Sequence, residues 1–244
     1  MNLAICSSFN NSIARGDLFR YVAQVEALAF YDKSVRVRAY AVEGDSTDGT
    51  YAKLCTWAHS VLKLDYGHPV KGSVTDSDRL LQCATVASAA RGMALADGWA
   101  DWILWVESDL IWGPDLVDQL ISRLPVDVGM ISPWIPIQGH GNGTADLAEL
   151  EAWPQDDVIF YDIWAFRKLP DGREHYGPFS PPPDGVVEVY SAGSCLLASA
   201  DLVRVTNGIG PEAIVSWCKQ GRAQGYTVWC DGQTRAWHCC PPKG

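Results

Sequence analysis

The sequence predicts an α/β fold in which a mostly parallel central sheet is covered by helices on both faces. Strand-like and helix-like segments alternate over residues 1–132, which is the order expected when helices connect the strands of a parallel sheet. Residues Trp102–Val106 are apolar throughout and are the clearest candidate for a buried strand. A chain of 244 residues suffices for one large α/β domain, and we expect a single domain over residues 1–244.

The first elements follow from the spacing of apolar residues. Leu3–Ser7 is a short apolar strand, and a polar loop leads from it into a helix at about residues 18–30. Apolar and polar residues alternate over residues 35–41, which is the period of a strand. Apolar residues then recur at helical spacing over residues 51–62, and the polar turn before them supplies a capping residue for this helix.

Four further elements complete the first half of the chain. A helix is predicted over Asp78–Ala96, with Gly98 after it, and the strand Trp102–Val106 follows directly. Pro114–Leu124 has the spacing of a helix with one apolar face, and Val126–Ser132 is the next strand. This order favours a sheet whose strands run mostly in parallel.

The second half, from residue 133 onward, is less regular. We predict strands and one helix there in the order Val186–Tyr190, Cys195–Ala198, helix Pro211–Gln224, Tyr226–Cys230 and Thr234–His238. The sequence contains no internal repeat and no linker that divides it cleanly.

Composition narrows the classes of function. Hydrophobic residues make up 48% of the chain and charged residues 20%, which excludes a disordered chain. The net charge of -10 disfavours a broad nucleic-acid-binding surface, because phosphate contacts need clustered lysines and arginines. A local basic groove stays open as an alternative.

Cysteine usage and the N-terminal residues predict a compartment. The eight cysteines include no C-x-x-C pair, so we expect most of them to be buried thiols of a reducing compartment. The first residues show no basic region followed by an apolar stretch, and no apolar run reaches the length of about 18 residues that a membrane span needs. We therefore predict a cytoplasmic protein.

Two carboxylates at the end of the central strand are the most informative feature for function. Glu107 and Asp109 follow Trp102–Val106 directly, and ligands of open α/β sheets bind outside the carboxyl ends of the strands. An acid-x-acid pair in that place is suited to a hard divalent cation, which in turn favours a phosphate-bearing partner. The alternative is that the pair only caps the helix predicted from Pro114.

Four segments, taken in order, resemble the GT-A glycosyltransferases over residues 3–238. The turn Glu43-Gly44-Asp45-Ser46-Thr47-Asp48-Gly49-Thr50 is similar to their D-x-S-x-D-G-T turn, and residues 101–110 are similar to their strand and D-x-D motif. Residues 191–198 resemble a small-residue turn at the sugar site, and residues 211–238 resemble their acidic residue, helix and terminal histidine. Within this superfamily the sequence is similar to the fungal mannan polymerase subunits, in Ala90-Arg91, the tryptophan-rich strand and residues 187–193.

The resemblance implies an activity and a metal site. It implies transfer of a sugar from a UDP- or GDP-sugar, bound by residues 1–132, to an acceptor bound by residues 133–244. It also implies Mn²⁺ or Mg²⁺, with Asp109 and His238 as ligands and Glu107 reaching the metal through water or reaching the ribose. Glutamate is one methylene longer than aspartate, which leaves direct contact open. One alternative for His238 is a structural zinc site with Cys239 and Cys240, downstream of Cys218 and Cys230, and another is a surface residue near the C-terminus.

The resemblance also implies a donor site and a base. The side chains expected around the nucleotide and its diphosphate are Ser7, Ser8, Glu43, Asp45, Arg79, Arg91 and Ser108. Asp45 and Asp48 are also expected to shape the turn, and a solvated helix face is the alternative for Arg79. Glu212 is the candidate general base of an inverting transfer, and in a retaining enzyme it would bind or orient the sugar. Its alternative is a stabilising charge at the start of a helix.

Three hypotheses of function follow. The first is a metal-dependent glycosyltransferase whose acceptor is a glycan or a hydroxymethylated base of viral DNA. The second is a catalytically silent module that binds a nucleotide-sugar. The third is an interaction protein built on a Cys/His zinc site. The oligomeric state is left open.

Overall fold

Eleven strands form one mixed sheet in the computed structural model, which describes residues 1–67, 76–125, 129–138, 147–152, 158–160, 162 and 164–238. The strands lie in the order β3-β2-β1-β4-β10-β6-β11-β7-β8, and β5 and β9 pair with β11 off this path. The strands are β1 (Asn2–Phe9), β2 (Arg36–Glu43), β3 (Ser60–Lys63), β4 (Trp102–Val106), β5 (Leu110–Trp112), β6 (Gly129–Trp134), β7 (Pro136–Gln138), β8 (Val158–Phe160), β9 (Val186–Val189), β10 (Cys195–Ser199) and β11 (Thr227–His238).

Seven helices connect and cover these strands in the described residues. They are α1 (Asp17–Tyr31), α2 (Thr50–Trp57), α3 (Ser77–Asp97), α4 (Leu116–Arg123), α5 (Leu147–Glu151), α6 (Ala200–Val205) and α7 (Ile214–Ala223). The long helix α3 buries a stripe of alanines, among them Ala84, Ala87 and Ala94. Small side chains on this stripe let the helix lie close to β1 and β2.

The strand directions confirm the predicted fold class. Strands β3, β2, β1 and β4 run parallel to one another, and β6 is parallel to β11. The exception at the centre is β10, which lies between β4 and β6 and is antiparallel to both. A strand from the second half of the chain therefore completes the sheet that the first half begins.

Several predicted boundaries were wrong. The helix expected to reach Leu62 ends at Trp57, because residues 60–63 instead pair with β2 as an edge strand. The two strands expected at the C-terminal end are one strand, β11, whose register shifts between Asp231 and Arg235. The strand expected from Val126 begins at Gly129 in the described part, and residues 126–128 lie outside it.

The polar turn after β2 is held by its own side chains. Asp48 accepts hydrogen bonds from the backbone N–H groups of Ala14, at 2.7 Å, and Thr50, at 3.0 Å. The side chain of Asp48 therefore joins the loop after β1 to the start of α2, which is the structural role expected for it. Gly44 lies against β3, since a Cβ atom there would lie 2.1 Å from the carbonyl oxygen of Leu64.

Within the described ranges, the model contains no helix that is both long enough and apolar enough to cross a bilayer.

Candidate active site

Three potential metal ligands meet where β4 and β11 end. Glu107 and Asp109 lie in the turn that follows β4, and His238 is the last residue of β11. The short strand β5 pairs antiparallel with β11, with Leu110 opposite His238, and this pairing places the histidine beside the acidic turn. One ligand atom from each of the three residues lies within 4.8 Å of the others, and His238 Nε2 is 3.4 Å from Asp109 Oδ2.

Burial and mutual contact shift the protonation of this cluster. Removal from water raises the pKa of Glu107 to about 7, and the charges of Asp109 and Asp162 add to the rise. Burial also acts to raise the pKa of Asp109, but the contact with His238 outweighs it and the pKa lies below its usual value. For His238, burial acts to lower the pKa and the contact with Asp109 raises it overall. A divalent cation held here would take the place of protons, because metal ligands bind in their deprotonated forms.

The donor atoms of the cluster fit a divalent cation. Asp109 Oδ1 is buried and has no hydrogen-bond partner among the described residues, so one carboxylate oxygen is left for another ligand. Two carboxylates and an imidazole are ligand types that Mn²⁺ accepts, and Mg²⁺ is bound through one or two carboxylates. Glu107 stands where a D-x-D pattern would have its first aspartate, so that pattern is not present as such.

No cysteine belongs to this cluster. Among the described residues, the one group of three or more potential metal ligands is Glu107, Asp109 and His238. Cys6, Cys195, Cys218 and Cys230 are free thiols buried in the core. The residues expected to complete a zinc site, Cys239 and Cys240, lie outside the described part of the chain.

A cavity of about 180 Å³ opens at the carboxyl ends of β1, β2 and β3 and is walled by α3. Three of the residues expected at the nucleotide line it, namely Ser8, Asp45 and Arg79. Its apolar wall comes from Phe9, Val42, Leu64 and Val86.

The cavity and the acidic cluster lie at the same edge of the sheet, because β1 and β4 are parallel neighbours and both end there. Cys83 lines the cavity. Burial is the main cause that raises the pKa of its thiol. The charge of Arg79 acts to lower this pKa, and the charge of Glu107 adds to the rise. Glu107, Asp109 and His238 do not themselves line the cavity.

The carboxylate of Glu212 lies between the positively charged side chains of Arg167 and Lys219. It accepts from Arg167 Nη1 at 2.8 Å and also contacts Lys219 Nζ. Burial acts to raise the pKa of Glu212, but the hydrogen bonds from Lys219 and Arg167 lower it overall. Its backbone N–H donates to Ser216 Oγ at 3.0 Å.

Comparison with known proteins gives a match in structure only. No protein-family model matches the chain, and no curated protein matches its sequence. The solved structure of GalNAc-T7 with UDP, GalNAc and Mn²⁺ matches with a TM-score of 0.52 and 12% identity, over 100% of this chain and 45% of that one. Glucosyl-3-phosphoglycerate synthase from Mycobacterium tuberculosis, in complex with Mg²⁺ and UDP, matches with a TM-score of 0.50 and 14% identity, over 100% of this chain and 72% of that one. A mycobacterial protein matches with a TM-score of 0.50 and 14% identity, over 99% of this chain and 68% of that one.

The chain has the GT-A fold. Because the identities are only 12% and 14%, the likeness establishes the fold alone. The chain spans less than half the length of the GalNAc-T7 chain. The resemblance stated from the sequence is thereby confirmed at the level of the fold.

Three of the residues expected at the donor site do not line the cavity. The hydroxyl of Ser7 is buried and contacts Tyr21 and the backbone carbonyl of Val106. Glu43 is fully buried and accepts from the backbone N–H of Ser46 at 3.0 Å. None of the three, Ser7, Glu43 or Arg91, lines the cavity.

Arg91 lies in the core of the GT-A fold. Its guanidinium stacks over the ring of Trp217 at 4.0 Å, and only 2% of the residue is exposed. Burial lowers its pKa to about 10. A diphosphate arriving from solvent could therefore not reach the guanidinium of Arg91. Ser108, between the two acids, is also buried.

Asp162 is a site residue that the sequence did not predict. It is 8% exposed, and its Oδ2 accepts from the backbone N–H of Ser194 at 2.8 Å. Burial raises its pKa, against the hydrogen bonds from Ser194. The available signal was an acid inside the apolar run Phe160-Tyr161-Asp162-Ile163-Trp164, because a carboxylate among apolar residues needs a partner.

Proposed function

We propose that this chain is a metal-dependent glycosyltransferase that moves a sugar from a nucleoside-diphosphate sugar to a hydroxyl acceptor. The observation that carries the proposal is the cluster of Glu107, Asp109 and His238, which lies at the same edge of the sheet as a cavity at the strand ends. Ligands of open α/β sheets bind at this end, and a cation there can meet a diphosphate.

The donor half of the proposed enzyme is residues 1–132. The cavity is lined by residues of this half, with apolar side chains suited to a nucleobase and with Ser8 and Asp45 as polar groups. Arg79 offers a guanidinium, which suits the geometry of phosphate oxygens. GalNAc-T7 was solved with UDP and Mn²⁺ and the mycobacterial synthase with UDP and Mg²⁺, which supports a UDP- or GDP-sugar as donor here.

The proposed metal is Mn²⁺ or Mg²⁺. Asp109 and His238 would hold it, and Glu107 would complete the ligand set directly or through water. When bound, the cation supplies charge neutralisation of the departing nucleoside diphosphate. The residues themselves keep this charge in a partly buried place, where it is screened less than at the open surface.

We assign Glu212 to orientation of the sugar or acceptor instead of proton removal. A general base needs an available carboxylate with a pKa near the working pH. Glu212 is engaged by Arg167 and Lys219, which lower its pKa and occupy its oxygens. The second half of the chain, residues 133–244, supplies Glu212 and is proposed to bind the acceptor.

A glycan is the acceptor that we favour over a hydroxymethylated base of viral DNA. DNA binding relies on clustered positive charge, and this chain has a net charge of -10. An assay with both acceptors tests the choice, and product on hydroxymethylated DNA would overturn it.

The six described cysteines are free thiols, which supports the proposed cytoplasmic location.

A screen of nucleotide-sugars for slow hydrolysis in the presence of Mn²⁺ tests the proposed function. We expect turnover of one donor, and its loss in Asp109→Asn with an unchanged melting temperature in the absence of metal. Asp201→Asn is the matched control, because Asp201 is an exposed residue paired with Arg204 on α6. Binding of a nucleotide-sugar without any turnover would instead support the silent binding module.

A further inference from the structure

We propose that Asp162 is a positioning residue, which holds the turn at Gly193 and Ser194 and through it the backbone of Glu107. The inference rests on the proposed function, because Glu107 matters as part of the proposed metal site. Asp162 is not one of the three residues whose ligand atoms lie within 4.8 Å of one another, so it is expected to act through Ser194 and not on the cation itself.

The first link is the hydrogen bond between Asp162 and Ser194. Asp162 Oδ2 accepts from the Ser194 N–H at 2.8 Å, and both residues are buried. The backbone carbonyl of Asp162 also accepts from the N–H of Phe166, at 3.0 Å. Asp162 is therefore held by hydrogen bonds to both its side chain and its backbone.

The second link is the close approach of Gly193. A Cβ atom at this position would lie 2.4 Å from Asp162 Oδ2 and 2.5 Å from the Cβ of Ala165. Only glycine allows the turn to lie this near to the carboxylate. The small residue and the buried acid are therefore fitted to each other.

The third link leads from the turn to the acidic cluster. The N–H of Glu107 donates to the carbonyl oxygen of Ser194 at 2.9 Å, and Cys195 pairs with Val106 in the sheet. The position of Ser194 thus fixes where the chain leaves β4, one residue before the cluster begins. Moving Asp162 would move Ser194 and then Glu107.

Arg167, five residues after Asp162, contacts both this turn and Glu212. Ser191 Oγ donates to the carbonyl of Ala165 at 2.6 Å, and the Arg167 N–H donates to the carbonyl of Ser191 at 3.2 Å. Arg167 then reaches Glu212 with its guanidinium at 2.8 Å. One stretch of chain, from Asp162 to Arg167, therefore contacts both the turn behind the metal site and the proposed orienting residue.

Titration of Mn²⁺ alone, followed by the electron paramagnetic resonance of the free ion, tests the role of Asp162. We expect Asp162→Ala to weaken Mn²⁺ binding by about 10-fold or more, as is typical when a residue behind a metal ligand is removed. Asp162→Asn keeps a carbonyl oxygen that can accept from Ser194, and we expect it to restore affinity to within about 3-fold of the original protein. Asp201→Ala and Asp201→Asn are the matched controls and should bind as the original protein does.

Gly193→Ala is the second variant, and it disturbs the same contact from the other side. We expect it to weaken Mn²⁺ binding to a similar extent, measured at a temperature where circular dichroism shows each variant to be folded. Normal Mn²⁺ affinity in Asp162→Ala would overturn the inference, as would an equal loss in Asp162→Asn and Asp162→Ala. Absence of Mn²⁺ binding in the original protein would instead overturn the proposed function.

Discussion

The charges around individual side chains decide their roles in this site. Asp109 is half-buried, contacts His238 and has one buried oxygen without a hydrogen-bond partner in the described residues, which suits a metal ligand. Glu212 carries the same charge but is engaged by two cations. An identical chemical group is therefore expected to hold a cation in one place and to orient a ligand in the other.

Glu212→Gln separates an orienting role from a catalytic base. We expect about a 10-fold loss in the rate of transfer with little change in donor binding, whereas loss of a general base typically costs about 10²–10⁴-fold. The measurement is the rate of transfer and the donor affinity of each variant. Glu188→Gln is the matched control, because Glu188 is similarly paired with Arg222, at 3.0 Å. A loss above about 10²-fold would return Glu212 to the role of base.

Arg91→Met tests the placement of Arg91 in the core. Nη1 and Nη2 of Arg91 are buried without hydrogen-bond partners among the described residues, so a methionine of similar length removes an uncompensated charge. We expect the free energy of unfolding to stay the same or rise by about 1–2 kcal/mol, with loss of the contact to Trp217 limiting the gain. Denaturant unfolding measures the first effect.

The same variant distinguishes the core role from the phosphate role. Binding of UDP in the presence of Mn²⁺ should be unchanged in Arg91→Met and weakened in Arg79→Met, because Arg79 lines the cavity. Weaker nucleotide binding in Arg91→Met, with a normal unfolding transition, would contradict the placement of Arg91.

At the scale of elements, the donor cavity depends on how closely the end of β2 approaches β3. Gly44 follows β2, and Leu64 follows β3. The Leu64 N–H donates to the carbonyl of Glu43 at 2.8 Å, and Asp45 accepts from the N–H groups of Tyr66 and Gly67 at 2.9 Å. These contacts fix one wall of the cavity through the backbone of Glu43 and Leu64 and through the carboxylate of Asp45.

Gly44→Ala is expected to open this wall. The added Cβ would lie 2.1 Å from the Leu64 carbonyl oxygen, so β3 must move, which we expect to destabilise the protein by about 1–3 kcal/mol and to weaken UDP binding. Gly92→Ala is the matched control, since Gly92 is in α3 with no atom within 4 Å of its added Cβ, and alanine favours the helix by about 0.5–1 kcal/mol. Thermal unfolding with and without UDP measures both effects. Normal UDP affinity in a folded Gly44→Ala protein would contradict the location of the donor site.

At the scale of the whole molecule, local patterns predicted the fold class and the acidic cluster. The apolar strand Trp102–Val106 ends in Glu107 and Asp109, and this arrangement is visible in a short stretch of sequence. The insertion of β10 between β4 and β6 could not be predicted in that way, because strand pairing across the chain leaves no periodic signal. The apolar residues around Asp162 indicate that it is buried, but its partner Ser194, 32 residues away, could not be predicted from them.

The position of Arg91 in the core could have been predicted from its spacing on α3. Ala84, Ala87, Arg91 and Ala94 share the buried stripe of α3, at the spacing of one helix face. That spacing places Arg91 toward the sheet instead of the solvent, and a phosphate ligand is not expected there.

The anomalous scattering of Mn²⁺ in crystals grown with Mn²⁺ and UDP tests the central claim most directly. We expect one strong manganese peak between Asp109 and His238, with Glu107 nearby and the diphosphate oxygens completing the coordination. A crystal of Asp109→Asn grown in the same way should lose the peak. Manganese bound elsewhere, or UDP bound with no manganese at the end of β4, would contradict the proposed site.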